Sequence, residues 1–503
     1  MNDTFLGSIR VRTNGKLATL IGIPLIIVLF LVIILNRSEE FELIDFIIDY
    51  LPLFQFATLA LLLFSGFPVA FVLGGVTLLF GVIGITLDVF QPIEFFNFVP
   101  RIWGQAAENL ILVAIPTFVY MGVMMERSGV ADRLLFVVQV LLRKVPGSLS
   151  LAVTVMGTIL AAMTGIIGAS VTMMTAMALP TMLKQGYNKA LACGTIAASG
   201  TLGILIPPSI MLIVMAELLV VPVGSLFMAA LGPGVLLSGL YLTYISLVAR
   251  FKPHMTPPLP PDTLNVHKKE KVSLVFKGFL PPAFLLIMVK GSILFGWATP
   301  SEAGAVGAFG ACVLAATAGR FKWKIVREVN YSVALTVAMI FFIVISATCF
   351  AYVFRSLGGD DVVSELILSA GLGSWGLLFL IMCIVFLLGF FLDWIEITLI
   401  ILPIFAPLVA SFDFSGHVPI MGLQGNEVTL WFTVLLAVNL QTSFLTPPFG
   451  FALFFMKSLA PPEVTISDIY VGIIPFVCIQ LIGLILCLVF PMLVLWLPSS
   501  IFG

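Results

Sequence analysis

Asp393 lies inside the apolar stretch Leu377 to Leu408. At bilayer depth a carboxylate costs several kcal/mol unless it is paired, hydrated or bound to a cation. Glu396 follows three residues on, on roughly the same helical face. Four hydroxyl clusters punctuate other apolar segments: Ser170/Thr172, Ser199/Thr201, Ser346/Thr348 and Thr442/Ser443/Thr446. A single Ser or Thr in a membrane helix usually packs or bonds back to its own helix. These clusters stand beside expected helix breaks, where freed backbone carbonyls join them as hard oxygen donors. That set suits a hard cation such as sodium.

The elements that would position these groups recur in the same order in two halves. Glu108 to Leu142 is expected to break at Ile115-Pro116-Thr117 and at Ser128-Gly129. Its counterpart, Tyr331 to Leu368, is expected to break at Ser346-Ala347-Thr348 and Gly358-Gly359. Each reads as a re-entrant helical hairpin, about 108–142 and about 331–368. Next comes an interrupted helix in each half, about 148–183 with its break at Thr164 to Ser170, and about 374–410 with its break at Gly389 to Trp394. Each half then carries a double proline within apolar sequence, Pro207-Pro208 and Pro447-Pro448. Proline removes a backbone donor and disfavours helix in the residue before it, so carbonyls are left open. Paired interruptions of this kind point to the binding site of a secondary transporter built from inverted repeats.

The composition fixes the setting. The 503 residues are 60% hydrophobic and 10% charged, with a mean hydropathy of +1.19, against roughly 25% charged in a soluble domain. Apolar runs long enough to cross a bilayer extend along the chain, and only helices satisfy their own backbone there, so the fold expected is an all-α polytopic membrane protein. A net charge of −1 gives no surplus for nucleic acid, so the bilayer is the surrounding partner. Residues 1–50 read as an extra N-terminal membrane helix, Leu17 to Leu35, and an interfacial segment. Arg10, Arg12 and Lys16 before that helix place the N-terminus in the cytoplasm. Residues 51–249 form the first half, 250–277 a basic, proline-rich cytoplasmic linker, and 278–503 the second half. No GxxxxGK[ST] loop and no HExxH pair occurs, and the six cysteines have no metal-ligand spacing, so neither cofactor nor catalytic residues are expected. Glu217 and Lys290, at the edges of apolar runs, read as snorkelling side chains. Glu302, in Thr299-Pro300-Ser301-Glu302, reads as a helix cap.

Taken in order, Gly168-Ala-Ser-Val-Thr172, Leu179-Pro180, Gly186-Tyr187, Ala197 through Pro207-Pro208 to Ile210, Ala298-Thr-Pro-Ser-Glu-Ala303, Gly389 to Asp393 and Leu445-Thr-Pro-Pro-Phe-Gly450 resemble the large membrane subunit of tripartite ATP-independent periplasmic (TRAP) transporters. The likeness runs from about Leu51 to the C-terminus. It implies a multi-pass permease of the bacterial inner membrane. The partners implied are a small four-helix membrane subunit and a periplasmic substrate-binding protein. It also implies sodium-driven symport of an organic acid by an elevator movement. By position, the ion and substrate sites would draw on Ser170, Ser199, Thr201 and Pro208 in one half and Ser346, Thr348, Asp393, Thr442 and Thr446 in the other, with Na+ at a subset. The extension before Leu51 departs from the family pattern and is too short to be a fused small subunit. The polar loop Asp413 to Glu427 is a candidate contact for the binding protein.

Two other classes are weighed beside this reading. A proton- or sodium-coupled anion transporter that needs no binding protein would take up substrate by itself. A membrane-embedded enzyme ranks last, because no catalytic constellation is present.

Overall fold

The structure is a computed structural model that describes residues 41–63, 67–165, 167–258, 272–369, 371–390, 392–410, 414, 426–447 and 450–502. The Leu17 to Leu35 helix, residues 259–271 of the linker and most of the Asp413 to Glu427 loop lie outside the described residues, as do Pro448 and Phe449.

Helix accounts for nearly all regular structure among the described residues. Among the described residues, five helices are long and apolar enough to cross a membrane: Val69–Thr86, Val223–Phe251, Val272–Leu294, Trp323–Ser356 and Ile466–Val489. Numbering only helices of nine residues or more, the chain runs α1 Phe41–Asp49, α2 Leu51–Leu63, α3 Val69–Thr86, α4 Ala114–Arg127, α5 Val130–Leu142, α6 Ser148–Thr164, α7 Ile167–Lys184, α8 Lys189–Thr201, α9 Ile210–Leu218 and α10 Val223–Phe251. It continues with α11 Leu280–Leu294, α12 Pro300–Thr317, α13 Trp323–Ser356, α14 Gly359–Ser369, α15 Ser374–Leu388, α16 Trp394–Ala410, α17 Asn426–Ser443, α18 Phe451–Leu459, α19 Ile466–Val489 and α20 Met492–Phe502.

The chain forms two compact units. The first comprises residues up to Asn109 together with Met339–Leu377. Within it, Tyr352 of α13 gathers the segment after α3: its hydroxyl accepts from Asn97 Nδ2 at 2.8 Å and donates to Glu94 at 3.1 Å, and Arg101 stacks over its ring. The second unit, Leu110–Ala338 and Leu378–Gly503, holds most of the buried core. There α12 lies along α4, and α8 is enclosed by α6, α7 and α19. The α8–α19 crossing is backbone to backbone, since a side chain at Gly194 would collide with the Gly472 carbonyl and one at Gly472 with the Ala190 carbonyl. Small residues let membrane helices approach this closely.

Two expected interruptions are corrected. Helix α13 runs unbroken through Ser346-Ala347-Thr348. It contains neither Gly nor Pro, and the Thr348 hydroxyl bonds back to Val344 O at 2.8 Å, which satisfies the hydroxyl without opening the helix. The turn comes at Leu357-Gly358, where Gly358 has positive φ. Likewise the chain at Ile115-Pro116-Thr117 is already helical. Pro116 sits in the first turn of α4, where its missing N–H is one of the unpaired donors in any case, and the irregular backbone precedes it at 108–113. At the α4–α5 turn Ser128 donates to Met125 O at 2.6 Å and accepts from Val130 N at 3.2 Å, and Gly129 supplies the left-handed residue.

Candidate ion-binding site at two helix breaks

Within the second unit the first break falls between α6 and α7. Gly165 ends α6 with φ +61°, a conformation that costs a residue with a side chain roughly 1–2 kcal/mol. A Cβ there would also lie 3.3 Å from Ile210 N and 3.6 Å from Pro208 O, so the break is seated against the double-proline turn. That turn is shaped locally: α8 tightens into a 3-10 turn at Leu202–Ile204, and Ser209 donates to Ile204 O at 2.6 Å before α9 begins. Asn188 caps the other end of α8 by accepting from Leu191 N at 3.1 Å. In the connection from α7 to α8, burial raises the Tyr187 hydroxyl above its usual range, and that oxygen accepts from Leu149 N at 3.3 Å.

Of the expected residues in this half, Ser170 is buried in the first turns of α7, and Ser199 and Thr201 are buried at the C-terminal end of α8. Ser199 faces α6, donating to Thr154 Oγ1 at 3.3 Å, and Thr154 in turn donates to Ser150 O at 3.0 Å. Thr201 donates to Ala198 O at 2.9 Å. α7 and α8 meet near Ser170, because a side chain at Gly200 would fall 2.5 Å from Val171. The polar side chains expected in this half are thus neutral hydroxyls, with Ser199 facing the middle of α6.

The second break, between α15 and α16, is ringed by charge. Asp393 takes the cap position of α16 and accepts from Trp394 N at 2.8 Å. Glu396 reaches back to accept from Asp393 N at 3.1 Å. Both side chains are half-buried, and neither has an ion-pair partner among the described residues. Beside them, a side chain at Gly389 would collide with Ser443 at the end of α17. Asn439 donates to Met382 O at 2.8 Å and ties α17 to α15. Thr442, Ser443 and Thr446 donate to Val438 O, Leu440 O and Thr442 O at 2.8–2.9 Å. With their protons committed to carbonyls, these hydroxyls retain lone pairs that can accept a hydrogen bond or hold a cation.

The two breaks are linked by packing of α9, which follows the first double proline, on α16, which follows Asp393. Pro208, Ser170, Ser199, Thr201, Asp393, Thr442 and Thr446 thus all belong to the second unit. Ser346 and Thr348 lie in α13 within the first unit. Glu396 and Ser209 are additional polar groups at the breaks. Glu396 stands at the third residue of α16, and its three-residue spacing from Asp393 is the signal that marks it.

A bundle of apolar helices, two of them interrupted beside carboxylates and hydroxyls, defines a multi-pass membrane permease. The match to known proteins refines this: residues 56–493 fit the family described as "Tripartite ATP-independent periplasmic transporter, DctM component". The C4-dicarboxylate TRAP transporter large permease protein of Pseudomonas aeruginosa is 30% identical over 82% of this chain and 92% of its own length. An ectoine/5-hydroxyectoine TRAP transporter large permease of Ruegeria pomeroyi is 28% identical over 89% of this chain and 99% of its own. Among solved structures, the YdaH transporter of Alcanivorax borkumensis shares the fold at a TM-score of 0.52 and 15% identity, covering 81% of this chain and 89% of that one. The chain belongs to the large-permease family of TRAP transporters, multi-pass proteins of the bacterial inner membrane, and is a transporter subunit rather than an enzyme.

Proposed function

We propose that this permease imports an organic acid by sodium symport, with a periplasmic binding protein delivering the substrate and a small four-helix membrane subunit completing the assembly. The observation that carries the sodium reading is the carboxylate pair at the start of α16, two acids without a basic partner among the described residues in an otherwise apolar region. Unpaired charge in such surroundings is unfavourable, and a hard cation held by carboxylate, hydroxyl and carbonyl oxygens relieves it. The substrates named for the relatives, a C4-dicarboxylate and ectoine, are small and carboxylate-bearing, which supports an organic acid here. We further propose that the chain's two halves are inverted repeats and that the helices around the two breaks move as an elevator.

The test is the unfolding temperature of detergent-purified protein in sodium, potassium and choline chloride at matched ionic strength, for wild type and Asp393→Asn. A ligand bound only by the folded state stabilises it by RT ln(1 + [L]/Kd), about 2.7 kcal/mol at a hundredfold excess. A sodium-specific rise that shrinks in Asp393→Asn is the expected result. Identical curves in the three salts would remove the sodium assignment.

A further inference from the structure

A cavity of about 390 Å³ opens between α5 and the helical segment that leads into α11, away from both helix breaks. Arg133, Phe136 and Val137 line it from α5, and Ser273, Leu274 and Lys277 from the facing segment. No acidic residue lines it among the described residues. The floor is tight, since a Cβ on Gly278 would fall 2.7 Å from Val137, and the facing backbone passes through a π turn at Val275–Phe279. Among the described residues Arg133 contributes one side-chain hydrogen bond, at 3.4 Å to Ala318 O, from the five donors of a guanidinium. One helical turn before it, the Arg320 guanidinium lies against Gly129 and adds to the positive field.

Lys277 stands near the start of a helix long enough to span the membrane, Val272–Leu294, and Val272 and Phe276 beside it are 56% and 61% exposed. The mouth of the cavity therefore carries cations and apolar surface together at the end of a span, where a bilayer presents phosphate next to acyl chains. Lys268, Lys269 and Lys271 precede it in the sequence, which assigns this end to the cytoplasmic leaflet by the excess of basic residues. An arginine fork and a lysine point charge suit a phosphate oxyanion. Basic pockets between membrane helices on the cytoplasmic side are a recurring form of anionic lipid recognition.

We propose that this cavity binds the phosphodiester headgroup of an anionic phospholipid, with Arg133 and Lys277 holding the phosphate and Phe136, Val137 and Leu274 receiving the start of an acyl chain. A free phosphate would use the cations and leave the apolar wall unused, which is why a lipid is the source inferred.

The experiment uses the full chain, purified and delipidated in detergent. Its unfolding temperature is followed while phosphatidylglycerol, phosphatidylcholine or inorganic phosphate is added to wild type, the Arg133→Gln/Lys277→Gln double variant and a Lys252→Gln control outside the cavity. Phosphatidylglycerol should raise the unfolding temperature of wild type and control, phosphatidylcholine should not, and the double variant should need at least about tenfold more lipid for the same shift. Equal responses to the two lipids, or a full response in the double variant, would overturn the site. A phosphate response matching that of phosphatidylglycerol would overturn the lipid as its source. If the double variant does not fold, Lys277→Gln alone and the headgroup comparison on wild type decide the matter by the same criteria.

Discussion

Helices α12 and α16 both begin with a glutamate three places after the cap residue, in different surroundings. At α12, Thr299 takes the cap position and Glu302 the third helical residue, and each side chain accepts the other's backbone N–H, at 3.3 Å and 2.8 Å. At α16, Asp393 and Glu396 hold the same two positions, Glu396 accepting from Asp393 N while Asp393 accepts from Trp394 N. The α12 cap is exposed and contains one carboxylate, whereas the α16 cap is half-buried in apolar sequence and contains two. Capping requires only one acceptor at each position, and a threonine hydroxyl supplies the first at no electrostatic cost. The second carboxylate at α16 therefore exceeds what helix initiation needs. It is this surplus charge that points to a cation.

The most incisive way to break the comparison is to make α16 begin as α12 does. Asp393→Thr keeps a capping oxygen, so stability in choline chloride should change by less than about 1 kcal/mol. Sodium stabilisation should disappear and coupled uptake, measured with the complete transporter, should fall by about tenfold or more, the equivalent of at least about 1.4 kcal/mol of lost ion binding. Undiminished sodium stabilisation in this variant would return Asp393 to a purely structural role. A smaller effect is expected from Glu396→Gln, whose amide oxygen can still accept from Asp393 N. Its thermal stability should fall by up to about 1 kcal/mol, with the sodium response weakened several-fold but present. An unaltered sodium titration would separate Glu396 from the proposed ion site and leave it as a cap.

How much of this could be read in the sequence follows from the range of the interactions. The all-α class and the spans come from apolar run length, which is local and which the bilayer enforces. The cap at Glu302 is likewise written in four adjacent residues. Helix ends were legible where glycine demands them, as at Gly165 with its positive φ. They were not legible where hydroxyl residues alone suggested a break: Thr348 answers its own helix through Val344, and α13 continues. Pairings distant in sequence left no local mark. Neither the collision course of Gly194 with Gly472 nor the bond from Asn439 to Met382 can be inferred from spacing, because each depends on which helices become neighbours. The same holds for the ion site proposed here: the sequence offers the oxygens, while which of them share a compact unit depends on packing, with Ser346 and Thr348 assigned to the first unit and the others to the second.

The smallest effect belongs to Glu302→Gln, and it sharpens the comparison because it removes charge from the cap that should have no ion. Outside the five long spans, hydrogen bonds from the Thr299 N–H and then from its hydroxyl hold the Glu302 carboxyl below the usual carboxylate range. A group lowered in the folded state stabilises it above the unfolded pKa, about 4.3 for glutamate, and that contribution is lost as pH falls through the lowered folded value. Wild type should therefore unfold slightly later than Glu302→Gln at pH 7, with the gap closing as the solution is acidified below about pH 4. Because the side chain is exposed and its bonds compete with water, the gap at neutral pH should be the least of the three variants. Unfolding temperatures of the pair across pH, each in sodium and in choline, provide the check. The difference should be the same in both salts and uptake should stay near wild type, since α12 has no surplus carboxylate to pair with sodium. A sodium-dependent gap at Glu302 would mean that one capping carboxylate suffices to hold the ion, and the inference drawn from the second carboxylate of α16 would fall with it.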